Sequence, residues 1–234
     1  MKSHKKIARI VGVLYIIGTI AGILSLVLTG SILGSADYLS AVSANKNKVI
    51  IGALFVLTMA FALAMVPVVL YPILKKYNQP LALGYVVFRG ALETFASLAL
   101  VISWLILIVL SQEYVNVGVP DASYFHTLGT LMLGAIDWID LISTITFSLG
   151  ALMLYYIFYK SKLVPRWISV WGLVGIALVL AVGLLGMFGI SLQILWGPLA
   201  LQEMVMAVWL IVKGFNQSAI APVSTKKINK LSNL

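Results

Sequence analysis

The stretch Leu81-Ala-Leu-Gly-Tyr-Val-Val-Phe-Arg89-Gly-Ala-Leu-Glu93-Thr-Phe-Ala-Ser-Leu-Ala-Leu-Val-Ile-Ser-Trp-Leu-Ile-Leu-Ile-Val-Leu110 decides how this chain folds. It runs for thirty residues with only two ionisable side chains, Arg89 and Glu93, one helical turn apart. A helix of about 20 apolar residues crosses a hydrocarbon core of about 30 Å, so this one spans with length to spare. Each charge at the centre of a spanning helix costs roughly 2.5 to 3.5 kcal/mol on insertion scales. The seventeen Leu, Ile, Val and Phe residues of the stretch offset that cost, each contributing roughly 0.3 to 0.6 kcal/mol. The balance favours insertion and predicts a partner for the charges. An intramembrane charge is by default a functional-site hypothesis, with structural pairing as the competing explanation.

Working outward, the whole composition agrees. Of 234 residues, 62 % are hydrophobic and 10 % charged, and the mean hydropathy is +1.07. A soluble domain would need a polar exterior that this chain lacks, so it reads as an integral membrane protein. The net charge of +9 does not point to nucleic acid, because the basic residues cluster at the ends of apolar runs and form no single stripe. Cysteine is absent, which excludes disulfides, thiolate nucleophiles and Cys-ligated metal sites. The basic leader Met1 to Arg9 followed by an apolar run resembles a signal peptide. The run exceeds the roughly 7 to 15 residues of a signal core, so it is expected to be the first spanning helix, uncleaved.

Six apolar runs fall at about 10–33, 49–74, 81–110, 129–159, 167–189 and 194–213, each long enough to cross a bilayer. The third and fourth are overlong and must tilt, protrude or begin at the interface. Short connections make helices 2–3, 4–5 and 5–6 antiparallel neighbours. Lys and Arg set the orientation. With both termini cytoplasmic, thirteen basic residues lie inside, only Lys46 and Lys48 lie outside, and Arg89 lies within the membrane, as the positive-inside rule requires. Trp167, Trp171, Trp209, Tyr155, Tyr156 and Tyr159 then mark the inner interface, and Trp104, Trp138 and Trp196 the outer one. The expected organisation is an all-α, six-span domain over 1–215 and a basic, disordered cytoplasmic tail over 216–234, held loosely at an anionic leaflet. Gly18-Thr-Ile-Ala-Gly22 and Gly30-Ser-Ile-Leu-Gly34 are small-xxx-small patterns for close helix packing. Pro67 and Pro72 predict a kink in the second span.

Counting residues from the cytoplasmic ends places Arg89 about 12 Å deep, Glu93 about 18 Å and Glu203, with Gln202 beside it, about 15 Å. These groups share one layer near the midplane. Arg89 and Glu93 are neighbours on one helix face, and a guanidinium can bind two carboxylates, so Glu203 can complete an Arg89-centred cluster. Two readings stand side by side. The charges form a buried clasp between helices 3 and 6, or they line a cavity in which one carboxylate is free to take up a proton or cation, since two negatives and one positive leave one negative surplus. Asp137 and Asp140 are three apart on one helix face and fall near the outer interface. With Asp37, Glu113 and Asp121 they make the outer mouth acidic: either ordinary interfacial charges or a vestibule that attracts cations.

Catalysis finds little support. The two histidines, His4 and His126, lie outside the apolar runs, and no zinc-type spacing is present. Ser97, Ser103, Thr144, Thr146 and Ser148 have no partner base, and hydroxyls in spanning helices usually bond the preceding turn. No enzyme activity, no metal and no cofactor are expected. The expected partners are the lipid bilayer and a small-molecule or cation ligand.

Several segments are similar to a known family. Gly12-Val-Leu-Tyr-Ile-Ile-Gly-Thr-Ile-Ala-Gly-Ile-Leu-Ser25, the region from Tyr71-Pro-Ile-Leu-Lys75 to Arg89 with its Leu-Gly-Tyr and Phe-Arg elements, and Asp137-Trp138 resemble the bacterial membrane family catalogued as domain of unknown function 4386. Its two most characteristic segments are resembled by Tyr159-Lys-Ser-Lys-Leu-Val-Pro-Arg-Trp-Ile-Ser-Val-Trp-Gly172 and by Pro198-Leu-Ala-Leu-Gln-Glu-Met-Val-Met-Ala-Val-Trp-Leu-Ile-Val-Lys-Gly-Phe215. The resemblance spans nearly the whole chain and implies a multi-span protein of the bacterial cytoplasmic membrane. It brings no activity with it. The resembling segments contain Arg89, Asp137 and Glu203. A transporter-like or ligand-binding protein and a structural or partner-binding membrane protein are the two function classes that remain.

Overall fold

The computed structural model describes residues 2–117 and 122–220. Its order is α1 (Lys2–Leu33), α2 (Tyr38–Ala44), α3 (Lys46–Leu74), α4 (Gln79–Tyr85), a π-helical segment (Val86–Leu92), α5 (Glu93–Val117), α6 (Ala122–Ser161), α7 (Arg166–Gly186), a 3-10 turn (Gln193–Trp196), α8 (Gly197–Val212) and α9 (Gln217–Ile220). Among the described residues no strand occurs. Six helices are long and apolar enough to cross a membrane: His4–Leu33, Lys46–Leu74, Gln79–Asn116, Ser123–Ser161, Arg166–Gly186 and Gln193–Val212.

Most of these helices outrun the apolar stretches, because backbone hydrogen bonding continues past the hydrophobic boundary until a cap stops it. α4 starts at Gln79 because the Asn78 side chain accepts from the Leu81 N–H at 3.0 Å, with Pro80 in the first turn, where its missing N–H costs nothing. The α7 helix ends at Gly186, short of the expected 189, and Gly189 sits at φ 79° in the connection that follows. α2 has no counterpart among the six apolar runs. Asp37 caps it by accepting from the Ser40 N–H at 3.3 Å, and Leu39 and Val42 are buried. Hydrogen bonding from Ser40 holds the Asp37 carboxyl below its usual range.

The six long helices neighbour one another in a ring: α1, α3, the α4–π–α5 rod, α6, α7, α8 and back to α1. The expected antiparallel pairs are all neighbours in it. Gly18 and Gly22 of α1 face Leu63 and Met59 of α3, whereas Gly30 faces only Leu26 of its own helix. The first small-xxx-small pattern is therefore a packing face and the second is not. α3 continues as one helix through Pro67 and Pro72.

The two ends of the ring differ. At the basic end, the chain after α8 folds back. The Asn216 N–H donates to the Leu163 carbonyl at 2.8 Å, and the Tyr77 hydroxyl donates to the Ala219 carbonyl at 2.9 Å. Ala219 and Ile220 pack against the main core. Residues 216–220 thus do not belong to a loose tail, because their backbone groups are met by the neighbouring connections. The remainder of the expected tail, 221–234, lies outside the described residues.

At the far end, α5 and α6 run on past α7, whose last residue, Gly186, is level with Leu141. From Leu141 back to the start of α6 is about 28 Å of helix. The overlong runs protrude as a hairpin, with Tyr114 edge-on to Phe125 and His126. α2 and the ends of α1 and α3 pack against this hairpin in a second core around Leu39, Val42, Val49, Trp104 and Leu107. Trp104, expected at an interface, is therefore a core residue, 7 % exposed. Of the three tryptophans expected at the outer interface, only Trp138 is exposed on its helix surface, at 50 %.

Candidate functional site

Arg89 sits in the π-helical segment, where the Glu93 N–H reaches five residues back to the Phe88 carbonyl. Short π segments inside α-helices are rare and recur at functional sites. Small residues let the neighbours close on this segment. A Cβ on Gly150 of α6 would lie 3.0 Å from the Arg89 nitrogen and 3.2 Å from its Cβ, and one on Gly90 would lie 3.3 Å from the Pro67 ring of α3. Hydroxyls occupy carbonyls along the same stretch: Thr94 donates to Gly90 at 2.7 Å and Ser97 to Glu93 at 3.0 Å.

From this base the Arg89 side chain crosses the interior of the ring. It is 4 % exposed. A single nitrogen, Nη1, donates to both Glu93 oxygens, at 2.6 and 2.7 Å. Its other terminal nitrogen, Nη2, faces Glu203 Oε1 of α8 at 4.0 Å. α8 stands opposite the α5 rod in the ring, so this second ion pair spans the bundle. Its length is that of a charge contact and exceeds a hydrogen bond. Among the described residues the Glu203 carboxylate accepts no hydrogen bond, and it is 17 % exposed, as Glu93 is 16 %. The guanidinium also lies over the Phe147 ring of α6, 4.4 Å from its centroid, a favourable cation–π placement. Phe147 in turn stacks on Trp196, with centroids 5.8 Å apart and planes 7° from parallel.

Gln202 does not join this cluster. Consecutive residues on a helix point about 100° apart, and Gln202 turns toward α6 and α7. Its Oε1 accepts from the Tyr155 hydroxyl at 2.8 Å and its Nε2 donates to the Ile168 carbonyl at 3.0 Å. Gln202 is fully buried with both ends of its amide satisfied, so it is a packing residue. The structure brings Arg89, Glu93 and Glu203 together and leaves Gln202 out.

Asp137 and Asp140 stay apart from the cluster, both exposed on α6. Their spacing with Thr144 and Phe147 (three, four, three) puts all four on one helix face. Sequence reasoning missed Phe147, although that spacing from Asp137 was readable, and missed Trp196, for which no local signal exists. It also missed Tyr15 and Tyr85 and placed Tyr155 at the inner interface; the three form a layer on the basic-end side, all but fully buried, with the Tyr15 and Tyr85 hydroxyls 3.3 Å apart. Tyr85 precedes Arg89 by one turn, which is a signal of sorts.

Ser103, Thr144, Thr146 and Ser148 each donate to a carbonyl three or four residues back. Among the described residues no three His, Asp or Glu side chains gather as metal ligands would.

The family described as Domain of unknown function (DUF4386) matches residues 10–214, nearly the full chain, and the chain belongs to that family. Neither the curated proteins nor the solved structures include one that matches it.

Proposed function

We propose that this chain is a multi-pass protein of the bacterial cytoplasmic membrane that binds a small cation or a protonated ligand at Glu203, as a transporter-like or ligand-binding protein and not as an enzyme. The observation that carries this reading is the inequality of the two carboxylates around Arg89. Glu93 takes both short contacts from one guanidinium nitrogen. Glu203 stands off at 4.0 Å and, among the described residues, accepts no hydrogen bond. One positive charge matched by one close negative leaves the second negative in surplus inside an apolar bundle, where an unneutralised charge is costly. A cation or proton arriving at Glu203 relieves that cost. Asp137 and Asp140, exposed on the α6 face that continues to Phe147, add negative potential at the far end, which supports a cationic ligand.

The test uses purified protein and thermal unfolding in sodium, potassium or methylammonium chloride against a bulky inert cation at equal ionic strength. The expected result is a saturable rise in Tm with at least one of the three, lost in Glu203→Gln. Identical responses of the two proteins to every cation would overturn the reading. Asp137→Asn with Asp140→Asn should weaken the apparent affinity and flatten its salt dependence while leaving the saturable response in place.

The proposed orientation puts both termini in the cytoplasm, on the strength of the thirteen-to-two distribution of Lys and Arg. Cysteines placed at Ser3 and Ser232 should resist an impermeant thiol reagent in intact cells, and one at Ser123 should react. Labelling of either terminus from outside reverses the topology.

A second reading is favoured by the near-complete burial of the guanidinium, which reaches across the ring toward Glu203 of α8. In it the charges only clasp the helices together, and the protein serves as a structural or partner-binding membrane component.

A further inference from the structure

The Arg89–Glu203 cluster is closed off unequally toward the two ends of the ring. On the basic-end side lie Tyr15, Tyr85 and Tyr155, 2 %, 1 % and 0 % exposed, and behind them the thickest part of the core. On the far-end side the stacked pair of Phe147 and Trp196 stands over the cluster. Trp196 precedes Glu203 by seven residues on one continuous helical run, which places it about 10 Å nearer the far end. Beyond Phe147, the α6 face that carries it passes Thr144, packed against Gly183 of α7, and then opens. α7 has ended at Gly186, level with Leu141, and Asp140 and Asp137 are exposed on the next turns.

Apart from Trp196 itself, which packs against the main core, its segment is lightly anchored. Phe188, in the connection before the turn, and Ile194, inside it, are 83 % and 85 % exposed. A Cβ added at Gly197, which follows Trp196, would meet nothing within 4 Å. Segments with few buried contacts open at low free-energy cost.

We propose that the Phe147–Trp196 pair is the closure over the Glu203 site, and that a small cation enters and leaves past it from the far end of the bundle. The proposal rests on the reading of Glu203 as a ligand site and adds the route and its barrier. Displacing Trp196 exposes Glu203 to the far-end solution, while the tyrosine layer keeps the basic end sealed.

The chain contains no cysteine, so single thiols report access directly. Glu203→Cys is reacted in sealed vesicles with an impermeant trimethylammonium methanethiosulfonate, and Ser123→Cys, at the exposed tip of α6, identifies the far-end face. Glu203→Cys should react slowly and from the same face as Ser123→Cys. Trp196→Ala in that background should speed the reaction at least tenfold, and Trp196→Leu should speed it less. Rates unchanged by both replacements, in proteins whose Tm shows them folded, overturn the closure. Reaction from the opposite face overturns the route. Labelling does not require that anything bind at Glu203. Unchanged labelling with an intact cation response of the unmodified chain therefore removes the closure alone, whereas faster labelling without any cation response removes the ligand.

Discussion

Gln202 and Glu203 are consecutive on α8, and their side chains meet different partners. Gln202 ties Tyr155 of α6 to the Ile168 carbonyl of α7, between elements that are ring neighbours of one another. Glu203 faces Arg89 across the ring. One helix therefore carries a satisfied structural amide and, one residue on, a carboxylate whose nearest cation is 4.0 Å away. The difference gives the two residues opposite expectations under mutation.

For the ion pairs, a double-mutant cycle on thermal stability separates the two carboxylates. Arg89→Met strands both and should cost about 3 to 5 kcal/mol, as breaking a buried pair does. The coupling energy of Arg89 with Glu93 should be on the order of 1 to 3 kcal/mol, within the range for contacting residues. That of Arg89 with Glu203 should be under about half as large, because the contact is longer and makes no hydrogen bond. Equal couplings, or none, would contradict the geometry. The triple replacement Arg89→Met, Glu93→Leu and Glu203→Leu should regain detergent stability. If it also keeps the protein's cellular activity, the clasp reading displaces the ligand reading.

For Gln202, replacement by Leu leaves the Tyr155 hydroxyl without its partner in the core and removes a second bond to the Ile168 carbonyl, which keeps its bond within α7. A loss of about 1 to 3 kcal/mol should follow. Adding Tyr155→Phe removes the stranded hydroxyl and should recover part of the loss. The cation response should persist in both variants. Chemical denaturation in mild detergent reads the stability, and a loss confined to cation binding with unchanged stability would place Gln202 in the ligand site after all.

At Gly150, a methyl group would press on the Arg89 backbone and Cβ at 3.0 and 3.2 Å. Backbone cannot yield as a flexible side chain does, so Gly150→Ala should cost about 1 to 3 kcal/mol, as overpacking does. Gly134, with nothing within 4 Å of an added Cβ, is the control, and Gly134→Ala should be neutral or slightly stabilising. Comparable Tm values for the two variants would mean that α6 does not hold the π segment closely.

The pH dependence of α2 follows from its cap. Hydrogen bonding from Ser40 depresses the Asp37 carboxyl in the folded chain. A depressed acid stabilises fully above its unfolded value of about 3.9 and loses that contribution as pH falls through the lower folded value. Amide exchange in Leu39 to Ala44, corrected for intrinsic rates, should be unchanged from neutral pH down to about 4 and should rise below it. Asp37→Asn keeps the cap without its titration and should flatten the profile. A profile in the intact chain that is already flat would show that Asp37 does not set the stability of α2.

Length and hydropathy alone determined six spans and their pairing in sequence. Every spanning backbone group must be satisfied within its own helix, so an apolar run such as Leu81 to Leu110 leaves the chain no alternative. The i,i+4 spacing of Arg89 and Glu93 likewise settled their contact, because neighbours on one helix need no tertiary structure to meet. Depth counting along two helices put Glu203 in the same layer, but a layer has no azimuth. Which way each side chain points around its axis depends on the ring that six helices form together. That is why Gln202, chemically as good a candidate as Glu203, turned out to face Tyr155, and why Trp104 is a core residue. The π segment under Arg89 is decided the same way, since its altered backbone phase answers to Gly150 and Pro67 on neighbouring helices, residues more than twenty positions away in the chain. Periodicity in one dimension carries no record of such contacts, and only the packed bundle supplies them.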